Sequence, residues 1–137
     1  KRHLFPDLTI TPADFFISYI YHYMYISINN NKFNCKVVST PEKIRLGMMG
    51  QSFSNFDGML FVMPEDTTQS FWMKNCVVPL DFIFIKKNII NDISPNCPPC
   101  DTEECETYEG DGGFVLELPA NTCRSLGIKI GDRVDYQ

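Results

Sequence analysis

Apolar and polar positions alternate with period two along much of the chain, which predicts strands rather than helices. In Phe15 to Ile28 (FFISYIYHYMYISI), Tyr19, Tyr21, Tyr23 and Tyr25 share one face and Ile20, His22, Met24 and Ile26 the other. Asn29-Asn30-Asn31 predicts a turn, because Asn tolerates left-handed backbone. Lys32 to Val38 alternates again, so the two runs form a hairpin. Thr11-Pro12-Ala13-Asp14 has the chemistry of a helix start, and so has Ser39-Thr40-Pro41-Glu42, with Ile44, Met48 and Met49 turned inward and Gly47 and Gly50 ending the helix. Gly58 to Met63 and Phe71 to Lys74 read as strands flanking a polar connection, Glu65 to Ser70, and Leu80 to Lys86 reads as a third. Lys87-Asn88 turns the chain into Ile89 to Ile93. Ser94 to Gly113, rich in Pro, Gly, Cys and acidic residues, reads as a long irregular segment. Phe114 to Leu118 is a strand, Pro119 to Leu126 a short helix ended by Gly127, and Ile128 to Val134 a final strand with a Gly131-Asp132 turn.

The pattern amounts to about seven or eight short strands and two or three short helices, with no internal repeat. It predicts a mainly β (α+β) fold, a small closed or half-closed barrel. Residues 1–25 are expected to be a Tyr-rich N-terminal extension and residues 26–137 one barrel-like domain.

Composition narrows the function classes. A chain of 137 residues fits one domain able to bury its own core. The net charge of −5, with no Lys/Arg run, argues against nucleic acid as a partner. No run reaches the roughly 18 to 20 apolar residues that span a bilayer. The Tyr-rich leader lacks the basic residues of a membrane-surface segment, and its edge offers a route to a homodimer. The chain does not begin with Met, so it is expected to be a fragment or a processed product.

Several strings, in this order, resemble one family: Arg45-Leu-Gly-Met-Met49, Gly58-Met-Leu-Phe-Val62, Phe71-Trp-Met-Lys-Asn75, Pro79-Leu-Asp81, Phe84-Ile85, Leu116-Glu-Leu118 and Leu126-Gly-Ile-Lys-Ile-Gly-Asp-Arg-Val134. Together they resemble domain-of-unknown-function family 192 from Ile26 to Val134. The resemblance implies a compact barrel-like domain with short helices, found in bacteria, archaea and their phages and often preceded by an export signal. It implies no established activity. An exported or periplasmic location is therefore slightly favoured over a cytoplasmic one. The chain departs from the family at Cys76, where a small hydroxyl residue is usual, and at Lys86-Lys87-Asn88, which lacks the usual Gly.

Two constellations could carry chemistry. Arg45, Trp72, Lys74, Asn75 and Asp81 would converge if FWMKN and PLD lie on neighbouring strands. Trp72, Lys74 and Cys76 would then share one face, opposite Phe71 and Met73. Two cations, an aromatic plane and a carboxylate suit a small anionic or sugar-like ligand. The plainer alternative, favoured here, is a structural ion pair of Asp81 with Arg45 or Lys74, covered by Trp72, because a buried carboxylate needs a partner. The second constellation is Cys97-Pro-Pro-Cys100-Asp-Thr-Glu-Glu-Cys105. Zinc would need a fourth ligand from a distant Cys or His22. A redox dithiol would need a helix start that Pro98-Pro99 opposes. A structural disulfide, Cys97–Cys105 or Cys100–Cys105, is favoured.

The remaining candidates are weaker. Met48, Met49, Met59, Met63 and Met73 read as core filler rather than a copper site. His3 and His22 lack partners for catalysis, Gly110 to Gly113 precedes a strand and is no phosphate loop, and Glu65-Asp66 reads as a solvated turn. No cofactor and no metal is expected. The function expected is a non-catalytic ligand-binding or accessory module for a small polar ligand or a protein partner. The alternatives are a hydrolase or transferase with Asp81 as base and Lys74 holding an anion, and a metal or thiol module at Cys97, Cys100 and Cys105.

Overall fold

The computed structural model describes residues 22–137. The helix start at Thr11, the first half of the Tyr-rich run, His3 and the dimerising edge expected there lie outside the described residues. The elements are β1 (Tyr23–Ile28), β2 (Asn31–Val38), α1 (Pro41–Leu46), β3 (Gly58–Trp72), β4 (Leu80–Lys86), β5 (Ile89–Cys97), β6 (Thr107–Pro119), α2 (Thr122–Leu126) and β7 (Val134–Tyr136). They form one mixed sheet in the order β5-β4-β6-β3-β2-β1-β7. The β2–β3 pair is parallel and the others antiparallel.

Local chemistry accounts for most of the element ends. Asn29 and Asn30, with φ of 51° and 64°, make the β1–β2 turn; Lys87 and Asn88, with φ of 51° and 64°, make the β4–β5 turn. The Thr40 hydroxyl accepts from the Lys43 amide at the start of α1, and Pro41 takes its first turn. Gly127, in left-handed backbone, ends α2.

The sheet curls into a half-barrel. Its two edges approach at one corner, where Ile89 bridges to Arg133, the Ile90 amide donates to Asp132 O and the Gly131 amide donates to Ile90 O. Inside lie Ile26, Ile28, Leu60, Val62, Ile83, Ile85, Leu116 and Leu118, all essentially inaccessible. These are alternate residues of four strands, β1, β3, β4 and β6, as period two requires.

A second core lies on the opposite face. Met59, Phe61, Phe82, Phe84 and Val115 are covered there by Met48, Met73 and Phe71. The cover exists because the β3–β6 ribbon bends at a bulge between Val62 and Thr67. Past the bend, Phe71 stands 5.0 Å from the Phe61 ring, 5.6 Å from Phe82 and 6.2 Å from Phe84. The Gln69 side chain spans the bulge, donating to Glu65 O at 2.8 Å and Gly112 O at 2.9 Å. The ribbon passes so close to β4 that a Cβ on Gly110 would lie 2.2 Å from the Phe84 ring, and one on Gly112 2.3 Å from Ile85 O.

Three expectations need correction. Glu65 to Ser70 is not a connection between two strands but part of one strand, β3. Ser94 to Gly113 is not irregular throughout, since β5 runs to Cys97 and β6 begins at Thr107. Ile128 to Val134 is not a strand; it is a turn pinned to β5, and the last strand is Val134–Tyr136. Glu65 to Ser70, and the Thr107 to Gly113 part of the second segment, belong to a curled two-stranded ribbon with one face in solvent, so their residues are polar and carry no apolar alternation.

The steric closeness at Gly110 gives a measurable consequence. Gly110→Ala is expected to destabilise the fold by about 1–3 kcal/mol, the usual cost of overpacking. The midpoint of urea unfolding checks this, and an unchanged midpoint would mean the ribbon does not press on Phe84.

Candidate functional site

Three of the five residues expected at a ligand site line one cleft of about 170 Å³ between α1 and the end of β3: Arg45, Trp72 and Lys74. Met48, Phe61 and Phe71 supply apolar wall. Arg45 sits on the exposed side of α1, and Trp72 is 46% exposed where β3 ends. Among the described residues neither Arg45 nor Lys74 forms an ion pair. The Lys74 ammonium instead donates to the Thr102 carbonyl.

That carbonyl belongs to a loop closed by the Cys100–Cys105 disulfide. The same loop is tied to the chain around Lys74: the Cys100 amide donates to Met73 O at 3.2 Å, and the Asn75 amide to Cys100 O at 2.9 Å. The disulfide is one of the two pairings expected. Cys35, Cys76, Cys97 and Cys123 are buried free thiols. Burial pushes the Cys76 thiol up to about 11 and the Cys97 thiol up to about 12. Among the described residues no group of three or more His, Cys, Asp and Glu is placed to hold a metal.

Asp81 and Asn75 do not join the cleft. β3 and β4 are not neighbours; β6 lies between them. Asp81 shares the inner face of β4 with Ile83 and Ile85, whereas the cleft adjoins the opposite face. Its partners are three main-chain amides rather than Arg45 or Lys74: Asn96 at 2.9 Å and Asn121 at 3.2 Å on Oδ1, and Cys123 at 2.9 Å on Oδ2. The carboxylate thus ties the end of β5 to the start of α2. Asn75 takes a left-handed conformation, φ 61°, and works through its main chain, accepting from the Gly50 amide at 3.0 Å. Cys76, expected to share a face with Trp72 and Lys74, borders the same cleft with them and also belongs to the second core.

The residue that the sequence reading did not place here is Glu117. It lines the same cleft, is 3% exposed, and pairs in register with Met59 on one side and Phe82 on the other. Its Oε1 has no hydrogen-bond partner. Burial alone pushes its carboxyl up to about 8. A signal existed in the sequence: an acidic residue inside the apolar run Phe-Val-Leu-Glu-Leu-Pro, at a position alternating with inward-facing leucines.

A second cleft, about 400 Å³, is lined by His22, Lys36, Lys43 and Gln51. It borders His22, the first described residue, and Lys36 there is already engaged with Gln51 at 3.2 Å and with the face of Phe56.

The two carboxyls have opposite consequences. Asp81→Asn places an amide NH2 against main-chain donors, and a loss of about 1.5–3 kcal/mol is expected, the worth of a hydrogen bond to a charged acceptor. An unchanged denaturation midpoint would contradict the tie. Glu117 binds its proton more tightly folded, with the folded value near 8 against an ordinary 4.5. Its contribution is therefore complete at low pH and is lost as pH rises from about 4.5 through 8. Stability should fall over that window, and Glu117→Gln should flatten the fall. Denaturation midpoints at pH 5 and 8 for both proteins decide it.

Among curated proteins none matches the chain. A solved structure from Sinorhizobium meliloti 1021, described as a candidate transcription regulator, is similar at 27% identity and a TM-score of 0.74, over 85% of this chain and 95% of that one. A protein of unknown function from Novosphingobium aromaticivorans DSM 12444 is similar at 28% identity and a TM-score of 0.70, over 82% of this chain and 83% of that one. A family model matches residues 24–136, and the chain belongs to that family, DUF192, described as "Uncharacterized ACR".

Proposed function

We propose that this domain is a non-catalytic binding module that holds a small organic anion in the cleft between α1 and the end of β3. One observation carries the reading: Arg45 and Lys74, without carboxylate partners among the described residues, reach the same small cleft as the half-exposed indole of Trp72. A guanidinium and an ammonium beside an aromatic face suit a carboxylate or phosphate on a short skeleton. The volume, about 170 Å³, corresponds to roughly six waters at ~30 Å³ each, so the ligand is small.

The hydrolase or transferase alternative drew on Asp81 as base. Its two oxygens accept from three main-chain amides on the face away from the cleft, so nothing here favours that role. A thiol or metal module is likewise not favoured, with Cys100 and Cys105 joined and Cys97 buried. The description of the Sinorhizobium relative raises a DNA-linked role, which a net charge of −5 opposes. The disulfide suits an oxidising compartment, and we place the domain's work outside the cytoplasm on that ground.

Trp72 is the only Trp, so its fluorescence reports entry into the cleft. Titration with short carboxylates and phosphates should change that emission. Arg45→Ala and Lys74→Ala should each weaken binding roughly tenfold or more, as expected for loss of a charged hydrogen bond. Equal affinity in wild type and both variants would remove the reading.

A further inference from the structure

Resting on the reading of the cleft as an anion site, we propose that its ligand is a short-chain oxocarboxylate. Its carboxylate lies at Arg45 and Lys74, and its carbonyl oxygen accepts a hydrogen bond from the neutral carboxyl of Glu117.

The cleft has two unlike ends. Arg45 and Trp72 are exposed at its mouth, whereas Glu117 is 3% exposed and sits between Met59 and Phe82 in the middle of the sheet. No cation opposes the desolvation of Glu117, so the positive charge is confined to the mouth. A buried carboxyl without a partner pays for its burial least in the neutral form. A neutral carboxyl is a donor as well as an acceptor, and Oε1 is without a partner. What the floor lacks is thus a neutral oxygen acceptor, while the mouth takes an anion.

The walls between them narrow the skeleton. Met48, Phe61, Met63 and Phe71 bring no hydrogen-bonding group except the weak thioether sulfur, and Ser70 and Cys76 add only one hydroxyl and one thiol. A sugar would leave several hydroxyls unpaired against such walls, at about 1–3 kcal/mol each. One hydroxyl and one thiol are too few for the several hydroxyls of a sugar, which disfavours the sugar-like half of the ligand class expected from the sequence. A chain of a few CH2 groups with one carboxylate and one carbonyl satisfies both ends and wets neither wall.

Binding is then linked to one proton. The groups facing Glu117 are Cys76, from the connection between β3 and β4, and Cys97, from β5. Both thiols are pushed up to about 11 or 12 and stay neutral across the useful range. Tyr108 on β6, bonded to Cys97, is also raised. Arg45 on α1 and Lys74 after β3 carry the mouth's charge. Asp81 is on the other face of the sheet. Glu117 is the group that titrates between neutral and mildly basic pH, and its ionised form cannot donate to a carbonyl.

Calorimetry on the intact chain tests this with three probes: 2-oxopentanoate, 4-oxopentanoate and pentanoate, which lacks the carbonyl. At pH 6.5 at least one oxo acid should bind fivefold or more tighter than pentanoate. That preference should disappear by pH 9.5 in wild type. It should persist in Glu117→Gln, whose amide NH2 donates at any pH. In wild type at pH 8, binding of the preferred oxo acid should take up a fraction of a proton, read from two buffers of different ionisation enthalpy; this needs no variant. Equal affinities for all three acids, or no proton uptake, would overturn the proposal. If those equal affinities still drop in Arg45→Ala, the anion site stands and only the oxo-acid assignment falls. If no acid binds, or Arg45→Ala changes nothing, the anion site itself falls.

Discussion

The passage of the β3–β6 ribbon over β4 is the constraint on which the rest of the molecule depends. A curled sheet of this size has one inner face, and that face is filled by Ile, Leu and Val from all seven strands. The outer face of β4 is just as apolar, with Leu80, Phe82 and Phe84 fully inaccessible. Something must cover it, and the ribbon does so by bending at its bulge and setting Phe71 on three other rings. The approach is possible because residues 110 and 112 lack a Cβ. The cleft is the gap left where this cover, arriving from β3, meets the cover arriving from α1 through Met48. Cleft and second core are therefore consequences of one close crossing.

The two buried carboxyls illustrate how burial and function separate. Asp81 is completely inaccessible and fully partnered by amides from two elements. Such a group holds the fold and has nothing left to offer a ligand. Glu117 is almost as buried, yet one of its oxygens is unpartnered, and it borders a cleft. Natural folds rarely leave a buried polar atom unpaired, because each costs on the order of 1–3 kcal/mol. The cost is what makes the position informative, since a missing partner can be supplied from outside the chain.

The fold was legible where period and turn chemistry agree. The bounds of β4 and the Asn29-Asn30 turn follow directly from alternation and from residues that accept left-handed backbone, and α1 from its Thr40-Pro41-Glu42 start. The long ribbon was not legible, because Glu65 to Ser70 and Thr107 to Gly113 keep one face in solvent and show polar, Gly-rich sequence. The half-barrel class survived these errors, since it needs the number of strands and their alternation rather than their lengths. Arg45, Trp72 and Lys74 were legible as a group, since cations near an indole stand out in a sequence, and the three do border one cleft. Asp81 was assigned to them wrongly, since strand order is not written in local pattern: β6, from 26 residues downstream and beyond, inserts between β3 and β4. Glu117 is visible in the sequence only as an acid in an apolar run, and local pattern does not say that the face it takes is covered by a second core.

The disulfide loop has a part in this arrangement that its sequence does not suggest. Lys74 lies past the end of β3, where the ladder with β6 has stopped and the chain is about to turn at Asn75. A lysine there, on a flexible stem, would ordinarily sweep a wide volume. The loop closed by Cys100–Cys105 supplies what the ladder no longer does: main-chain bonds to Met73 and Asn75 on either side, and the Thr102 carbonyl as a rest for the ammonium. A carbonyl holds the ammonium in place without neutralising it, so the charge remains available at the mouth of the cleft. The cross-link therefore does more than close an acidic loop. It fixes one of the two cations at the cleft, which a bridge spanning only five residues can do although it restricts the unfolded chain little.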